Sequence, residues 1–303
     1  MKGMMSITVQ TVVLLRCLGA FVGISTAQMG DFLAALQERK TALVERMVQV
    51  SEHFLGAPYQ ISPLGEGPGH PPDTDPLIRY DAFDCTTFVE ETLALALSSH
   101  VAEAQDSLRR IRYINGEVGY TTRKHFVMAQ WIPMNQKAGF LVDITVQVGG
   151  DHTRWARKRL DGHVWQMRWN KAMWPALRPE QVPSGIFALP IIPLEDLPGL
   201  MGRIPSGAIL SVVREDRPWF PERVSHQGLV VIRKGRFFLR HASKLPFHRV
   251  VDEPLEGFLK RNLAYRKWSV EGLNLQMPRD DRSPQKSGCR TLLVPSVHDN
   301  FLG

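Results

Sequence analysis

A single cysteine at the start of a predicted helix is the feature that most limits what this chain can be. Asp84 is a favourable N-cap residue, Cys85 follows it directly, and residues 81–97 continue at mostly helical spacing. The apolar positions of that segment are Phe88, Val89, Leu93, Leu95, Ala96 and Leu97. The start of a helix is the positive end of its dipole and has unpaired backbone N–H groups, both of which favour a thiolate. The sequence therefore predicts a nucleophilic cysteine rather than a packing one.

The first 27 residues have the pattern of a secretory signal. Lys2 supplies the positive start, residues 7–24 are mostly apolar, and residues 25–27 (Ser-Thr-Ala) are the small residues that signal peptidase requires. Arg16 interrupts the apolar stretch, which leaves an uncleaved N-terminal anchor as the alternative. We predict export to the periplasm or beyond, with no stable membrane anchor once the signal is removed.

The composition is that of an ordinary globular protein, with 44% hydrophobic and 22% charged residues among 303. The net charge of +7 would suit an anionic partner such as a cell-wall polymer, and a solvated basic surface explains it equally well. The Lys and Arg residues are scattered, without an Arg-rich run or a zinc-finger spacing, so we expect no nucleic-acid partner. We expect a monomer.

The remaining cysteines predict neither a metal site nor a disulfide framework. After removal of the signal only Cys85 and Cys289 remain, and a bond between them is the alternative to a free nucleophile in an exported protein. Cys289 lies in a polar segment that we interpret as part of a C-terminal tail, residues 279–303. No Cys-x-x-Cys or His-Glu-x-x-His spacing occurs, so we expect no metal and no cofactor.

The pattern along the chain changes from helical to β. One long amphipathic helix is predicted over 31–55 and a second over 102–113. Three short β runs follow at 208–213, 228–232 and 236–240, with a tight turn at Lys234-Gly235 between the last two. We therefore expect an α+β domain in which helices pack on a small antiparallel sheet.

Five of the seven tryptophans fall between the helical and β parts of the chain. They are Trp131, Trp155, Trp165, Trp169 and Trp174. Flat rings of this kind stack on sugar faces in exported carbohydrate-binding sites, and large aromatic residues also fill cores. Both interpretations stay open for this region.

Two histidines flank the predicted strands at places where they could serve Cys85. His226 stands near the start of the second strand and His241 follows the third. A thiol nucleophile needs a base and a group that orients the base. Adjacent antiparallel strands can place His226 beside His241, which would fix the His226 tautomer and leave its other nitrogen for Cys85. The alternative is a buried structural cysteine with a hydrogen-bonded core histidine.

The order of these motifs resembles the NlpC-type, papain-like cell-wall hydrolases. The resemblance is carried by Asp84-Cys85, by Ser225-His226-Gln227-Gly228 and by His241-Ala242-Ser243. The string Phe83-Asp-Cys-Thr-Thr-Phe-Val-Glu90 is similar to one branch, the N-acetylmuramoyl-L-alanine amidase-like proteins. Further matches to that branch are Gly56-Ala-Pro-Tyr59, Arg123-Lys-His125, Trp131-Ile132, Asn135 and Asp143-Ile-Thr145.

This resemblance implies a papain-like fold, a single catalytic domain over 28–278, and an inserted substrate-binding region over 115–200. It implies hydrolysis of the amide between N-acetylmuramic acid and L-alanine in peptidoglycan or muropeptide fragments. The implied site residues are Cys85 as nucleophile, His226 as base, His241 as orienting residue, Tyr59 at the oxyanion, and Arg123, Trp131 and Asn135 as substrate contacts.

Two features depart from the family pattern. Thr86 stands where serine usually follows the cysteine, and 115–200 is a longer insertion than smaller members have. Because the insertion would build one wall of the groove, a stem-peptide endopeptidase on the same Cys/His scaffold is an alternative. A non-catalytic wall-binding module that uses the tryptophan-rich stretch is another.

Overall fold

The structure is a computed structural model that describes residue 21 and residues 23–280. Within these residues no helix has both the length and the apolar character needed to span a membrane. Most of the predicted signal, Cys17, Cys289 and nearly all of the predicted tail lie outside the described residues. The predicted signal boundary after Ala27 falls in the first turn of a helix that begins at Thr26 and is capped by Ser25.

The N-terminal helical region is two helices, so the prediction of one helix over 31–55 is wrong. Helix α1 spans Thr26–Glu38 and helix α2 spans Leu43–Glu52. Lys40 between them has a φ of 53°, in the left-handed region, which no residue adopts inside an α-helix. The apolar periodicity continued across this break because both helices bury one face in the same core.

The cysteine-bearing helix is the centre of the helical layer. Helix α3 spans Cys85–Ala96, and every residue from Thr87 to Ala96 is buried. Helix α4 spans Val101–Arg112, which confirms the predicted second helix to within one residue. Because α3 is packed on all sides beyond its first turn, the position of Cys85 is fixed by the core rather than by a loop.

Six further helices follow: α5 Ile132–Lys137, α6 Thr145–Gly149, α7 Gly162–Gln166, α8 Arg168–Met173, α9 Leu197–Leu200 and α10 Leu255–Ala264. A π-helical turn over Val127–Trp131 leads into α5. The strands are β1 Leu141–Asp143, β2 Arg154–Leu160, β3 Gly185–Pro193, β4 Ile209–Arg214, β5 Val224–Arg233, β6 Arg236–Ser243, β7 Arg249–Pro254 and β8 Val270–Pro278.

The sheet is antiparallel, as predicted, but larger than predicted. Its order is β2-β3-β8-β4-β5-β6-β7, and β1 also pairs with β8. The expected strands are confirmed as β4, β5 and β6, and the turn at Lys234-Gly235 has positive φ at both residues, as a two-residue hairpin requires. The inserted region 115–200 contributes β1, β2 and β3, so it extends the sheet and is not only a wall beside it.

The sheet separates two apolar clusters, one on each face. Leu229 and Val231 of β5 point into the cluster that contains α1–α4, whereas Val230 points into the cluster that contains α10. Arg240 joins the sheet to α2, because its guanidinium holds Asp252 in a two-pronged ion pair and donates to the Val48 carbonyl oxygen at 2.9 Å. These contacts set the helical layer rigidly against the open end of β5 and β6.

Candidate active site

The first turn of α3 is capped as the sequence predicts. The Asp84 Oδ1 accepts from the backbone N–H groups of Thr86 at 3.0 Å and Thr87 at 2.8 Å, and the Thr87 hydroxyl accepts from the Asp84 N–H at 2.9 Å. The cap therefore uses the second and third N–H groups of the helix. Among the described residues no other residue accepts from the N–H of Cys85, which acts on its own sulfur. This N–H is a donor at the point where a developing negative charge would be stabilised.

The Cys85 thiol is half-buried where two strands separate. The pairing of β5 with β6 ends at Leu229 and Arg240, on the side away from the hairpin turn. Just beyond that point the backbone N–H of Gln227 lies close enough to the Cys85 sulfur to lower its pKa. The N-terminus of α3 therefore meets β5 next to His226, at the end of the strand pair that also carries His241.

The surroundings of Cys85 do not favour the predicted thiolate. Burial and the neighbouring Asp84 carboxylate raise the pKa of Cys85 to about 12, although hydrogen bonds from Gln227 and Thr86 act in the opposite direction. The capping carboxylate, favourable for the helix, places a negative charge next to the sulfur and opposes the effect of the helix dipole. In these surroundings Cys85 is a neutral thiol, and a base would have to remove its proton before the sulfur could attack.

His226 and His241 are brought together as predicted from their strands. The Nε2 of His226 lies 2.7 Å from the Nδ1 of His241, and the ring planes are nearly perpendicular at 87°. His226 is half-buried and His241 is 1% exposed. Phe258 of α10 packs against both rings, with centroid separations of 6.1 and 5.7 Å. The contact uses one nitrogen of His226 and leaves its Nδ1 available.

His226 is uncharged at neutral pH. Burial lowers its pKa well below the ordinary value, and the positive charges of Arg261 and Arg214 and the neighbouring His241 add to that effect. A neutral imidazole can accept a proton, whereas an imidazolium cannot. The resting pair of thiol and imidazole is therefore neutral on both sides, which suits proton transfer during attack.

Glu253 of β7 continues the line of contacts and was missed by the sequence analysis. Its Oε2 lies 3.2 Å from the His241 Nε2 and accepts from the Arg261 Nη2 at 2.7 Å. Its side chain is 8% exposed. Strand β7 was not predicted, because Arg249–Pro254 is short, edge-placed and rich in charge. The sequence could have indicated a carboxylate beside His241 only if strand β7 had been predicted first.

Tyr59 lies at the cysteine end of the site. It forms a parallel bridge with Phe83, two residues before Cys85, and its N–H donates to the His248 carbonyl oxygen at 2.9 Å. Burial and the nearby Cys85 and Asp84 raise the pKa of the Tyr59 phenol above its ordinary value. The hydroxyl stays protonated over the working pH range and can donate a hydrogen bond.

Arg123 lies apart from this group and is held by two carboxylates. It forms ion pairs with Glu66, whose side chain is fully buried, and with Asp73 at 2.7 Å. It is 13% exposed. These bonds fasten the loop that follows Tyr59. The contacts give Arg123 an internal role as an anchor, and they leave the predicted substrate contact without support from the geometry.

Trp131 and Asn135 are core residues. Both are fully buried. The indole N–H of Trp131 donates to Glu90 at 2.9 Å, and the Asn135 side chain binds the Ile111 carbonyl oxygen and Lys124 at 3.1 Å each. Since every polar atom of these side chains already has an internal partner, we do not carry them forward as substrate contacts.

The other tryptophans of the insertion take different places. Trp165 and Trp174 pack against Phe126, with ring centroids 4.9 and 5.0 Å away, and border a cavity of about 330 Å³. Trp155 on β2 is 58% exposed. The side chain of Trp169 lies outside the described residues. The aromatic stretch is therefore neither wholly core nor wholly surface.

The alternative of a disulfide between Cys85 and Cys289 stays open. In the described part of the chain Cys85 is a free cysteine, and the predicted alternative partner Cys289 lies outside it. No group of three or more His, Cys, Asp or Glu side chains is placed to hold a metal ion within the described range.

Comparison with known proteins gives one family match. The family described as AmiA-like, N-acetylmuramoyl-L-alanine amidase-like, matches residues 49–264. This range contains every candidate residue named above. A comparison with curated proteins finds no match.

Solved structures share the fold over most of the chain. A DUF1460-family protein from Legionella pneumophila is 26% identical, with a TM-score of 0.74 over 84% of this chain and 94% of that one. An N-acetylmuramoyl-L-alanine amidase from Bacteroides uniformis is 23% identical, with a TM-score of 0.60 over 78% of this chain and 99% of that one. A Bacteroides fragilis protein described as a candidate xylanase is 26% identical, with a TM-score of 0.58 over 76% and 99%. The similarity extends over nearly the whole length of each of these proteins.

Proposed function

Because the chain belongs to the N-acetylmuramoyl-L-alanine amidase-like family, we propose that it is an exported cysteine amidase with a papain-like site. The substrate is the amide between N-acetylmuramic acid and L-alanine, in peptidoglycan or in muropeptide fragments. The observation that supports this most is that Cys85 lies beside Gln227, the residue after His226, at the end of the β5–β6 pair where His226 is bonded to His241. A nucleophile, a base and an orienting group are the parts that acyl transfer requires.

In the first step the Nδ1 of His226 takes the proton of the Cys85 thiol as the sulfur attacks the lactyl carbonyl carbon. The carbonyl double bond opens and the negative charge moves to its oxygen. The N–H of Cys85 and the protonated hydroxyl of Tyr59 donate to that oxygen. Proton transfer in this step is necessary because the resting thiol is neutral.

In the second step His226 returns its proton to the amide nitrogen, the C–N bond breaks, and a peptide with L-alanine at its amino terminus leaves. The muramoyl group remains on Cys85 as a thioester. Water then attacks the thioester with His226 as base, which releases the muramic acid carboxylate and regenerates the thiol. His241 keeps the His226 ring in one orientation through both proton transfers.

An endopeptidase that cuts within the stem peptide would use the same residues in the same order. The two activities differ only in the substrate carbonyl that lies over Cys85. The insertion carries exposed and cavity-lining tryptophans that suit contact with sugar rings, which favours cleavage next to the sugar.

A non-catalytic wall-binding module is the alternative from a different class. It would rely on the insertion and leave the cysteine idle. Slow alkylation of Cys85 does not distinguish the two, because the raised pKa of the thiol makes a catalytic Cys85 slow as well. Product formation distinguishes them.

The test is mass spectrometry of products from defined muropeptides, with residues 28–303 and the Cys85→Ala variant compared at equal concentration. Free stem peptide with an L-alanine amino terminus, absent with the variant, supports the amidase. Shortened stems still joined to sugar indicate the endopeptidase. Binding without product, equal in both proteins, indicates the wall-binding module. Tyr59→Phe is the graded control, since loss of one oxyanion donor is expected to lower kcat by about 10²- to 10³-fold.

Export is tested on the full chain. Expressed in a Gram-negative host, it should be recovered from the periplasm with an amino terminus at Gln28. A protein retained in the cytoplasm with Met1 intact would contradict the export part of the proposal and leave the chemistry unaffected.

A further inference from the structure

Glu253 and Arg261 extend the catalytic histidines into a line of four side chains. The Nε2 of His226 meets the Nδ1 of His241 at 2.7 Å, and the Nε2 of His241 meets the Oε2 of Glu253 at 3.2 Å. The Nη2 of Arg261 donates to the same Oε2 at 2.7 Å, and its Nε donates to the Oε1 of Glu253 at 3.3 Å. Because each side chain is hydrogen-bonded to the next, the choice of donor and acceptor in one bond restricts that choice in the neighbouring bond.

The charge of Glu253 determines which group donates in its hydrogen bond with His241. Burial raises the pKa of this carboxyl, but hydrogen bonds from His241 and Arg261 outweigh burial and keep the pKa below its ordinary value. An ionised carboxylate has no proton to donate. The hydrogen between Glu253 and His241 therefore belongs to the His241 Nε2.

The same reasoning assigns the hydrogen of the bond between His241 and His226. If the Nε2 hydrogen is the only one on the His241 ring, its Nδ1 is bare and can only accept. The hydrogen of the inter-histidine bond then belongs to the His226 Nε2. Because His226 is neutral, its Nδ1 keeps a lone pair. This is the nitrogen that a base facing Cys85 must offer.

We propose that Glu253 is a positioning residue that, held by Arg261, fixes the tautomers of both histidines and keeps the His226 Nδ1 unprotonated for Cys85. The assignment rests on the proposed function for its catalytic consequence. The tautomers themselves are properties of the resting protein and need no substrate to be observed.

Glu253→Leu is the informative change, and Glu253→Gln is its matched control. Leu removes the acceptor, so the hydrogen of His241 is no longer held on Nε2 and the hydrogen of His226 is no longer held on its own Nε2. Gln keeps an acceptor, because Arg261 has only donors and its Nη2 shares the Oε2 position with the His241 Nε2, so the carbonyl oxygen of Gln should take that position. Both tautomers should then stay as they are in the native protein.

The first measurement is the nitrogen spectrum of ¹⁵N-histidine-labelled protein without substrate. We expect the His226 Nδ1 to show a pyridine-type shift in the native protein and in Glu253→Gln, and a shift moved toward the pyrrole type in Glu253→Leu. The Glu256→Gln variant, which removes a charge from an exposed position of α10, should match the native spectrum. A native His226 Nδ1 shift in Glu253→Leu, or a native His241 protonated on both nitrogens, would overturn the inference, whatever the activity.

The second measurement is the kinetics of the same proteins. Glu253→Leu should lower kcat by roughly 10²- to 10⁴-fold with little change in KM, the size of loss that a wrong tautomer causes in a nucleophile–histidine–acid triad. Glu253→Gln keeps the acceptor and should retain most of the rate. Equal losses for Leu and Gln would overturn the inference.

Arg261 supplies an independent arm. Its side chain is 42% exposed, so Arg261→Ala is expected to fold. In the double variant with Glu253→Gln the amide is free to turn its nitrogen toward His241, and kcat should fall at least tenfold below that of the Glu253→Gln variant. Equal rates in the single and double variants would contradict the orienting role of Arg261. If the spectra change as expected while no form of the protein cleaves any muropeptide, the tautomer assignment stands and the amidase proposal fails.

Discussion

Gly228 lies directly against His241 across the β5–β6 pair. A Cβ on Gly228 would be 2.9 Å from the His241 Cβ and 2.9 Å from the Arg240 carbonyl oxygen, closer than real Cβ atoms approach. The 2.7 Å contact between the two histidines spans this same place. The absence of a side chain at residue 228 is therefore what lets the two imidazoles meet.

Gly228→Ala should separate the histidines while the fold survives. We expect a loss of about 1–3 kcal/mol in the free energy of unfolding from overpacking, and a fall in kcat of about 10²-fold, because a displacement near 1 Å has this cost. Urea unfolding and steady-state kinetics measure the two effects. Gly257→Ala is the matched control, since a Cβ there meets nothing within 4 Å and should leave kcat unchanged. Full activity in Gly228→Ala would show that the close approach is dispensable.

Asp84→Asn should make the thiol more reactive. Burial and then the Asp84 carboxylate raise the pKa of Cys85 to about 12, so removing the charge lowers that pKa and increases the thiolate fraction at neutral pH. Asn is as good an N-cap as Asp, so α3 should keep its start. The measurement is the rate at pH 7.5 at which iodoacetamide modifies the peptide containing Cys85. A rate equal to or below that of the native protein would contradict the assigned role of Asp84.

Glu222 should make the protein less stable as the pH rises through the weakly acidic range. Burial raises its pKa from 4.5 to about 7, although backbone N–H groups of Val224, Arg223 and Met128 donate to it. Between these two values the folded protein still binds a proton that the unfolded chain has released, so the free energy of unfolding decreases with increasing pH. Glu222→Gln should flatten that slope, by on the order of 2 kcal/mol between pH 4.5 and 7. Identical slopes in both proteins, measured by urea unfolding, would contradict the raised pKa.

Trp131→Phe should weaken the fold and leave substrate affinity unchanged. The indole N–H is the donor to the buried Glu90, so its loss leaves a buried acceptor unsatisfied and should cost about 1–3 kcal/mol. KM should equal that of the native protein, because the side chain is fully buried. A raised KM at unchanged stability would restore Trp131 as a substrate contact.

The parts of the site that could be predicted are those whose signals are local. The cap at Asp84, the start of α3 at Cys85 and the turn at Lys234-Gly235 each depend on two or three adjacent residues. The pairing of His226 with His241 follows from that turn, because a hairpin fixes the register of its strands.

The parts that could not be predicted depend on contacts distant in sequence. The thiol was expected to ionise because the helix dipole is visible in a sequence, whereas burial against β5 is not. The extra strands of the insertion, β1 to β3, join a sheet with distant parts of the chain. Strand β1, for example, pairs with β8, which lies more than a hundred residues later in the sequence. Glu253 needed an unrecognised edge strand before its carboxylate could be placed beside His241.

The position of β8 makes the site depend on residues far from it in sequence. β8, Val270–Pro278, lies in the interior of the sheet, between β3 and β4, and β4 is the strand that supports β5 and its histidine. A chain cut before Val270 keeps every residue of the candidate site but leaves β3 and β4 with open sheet edges. We therefore expect such a shortened copy to be inactive although its chemical groups are complete.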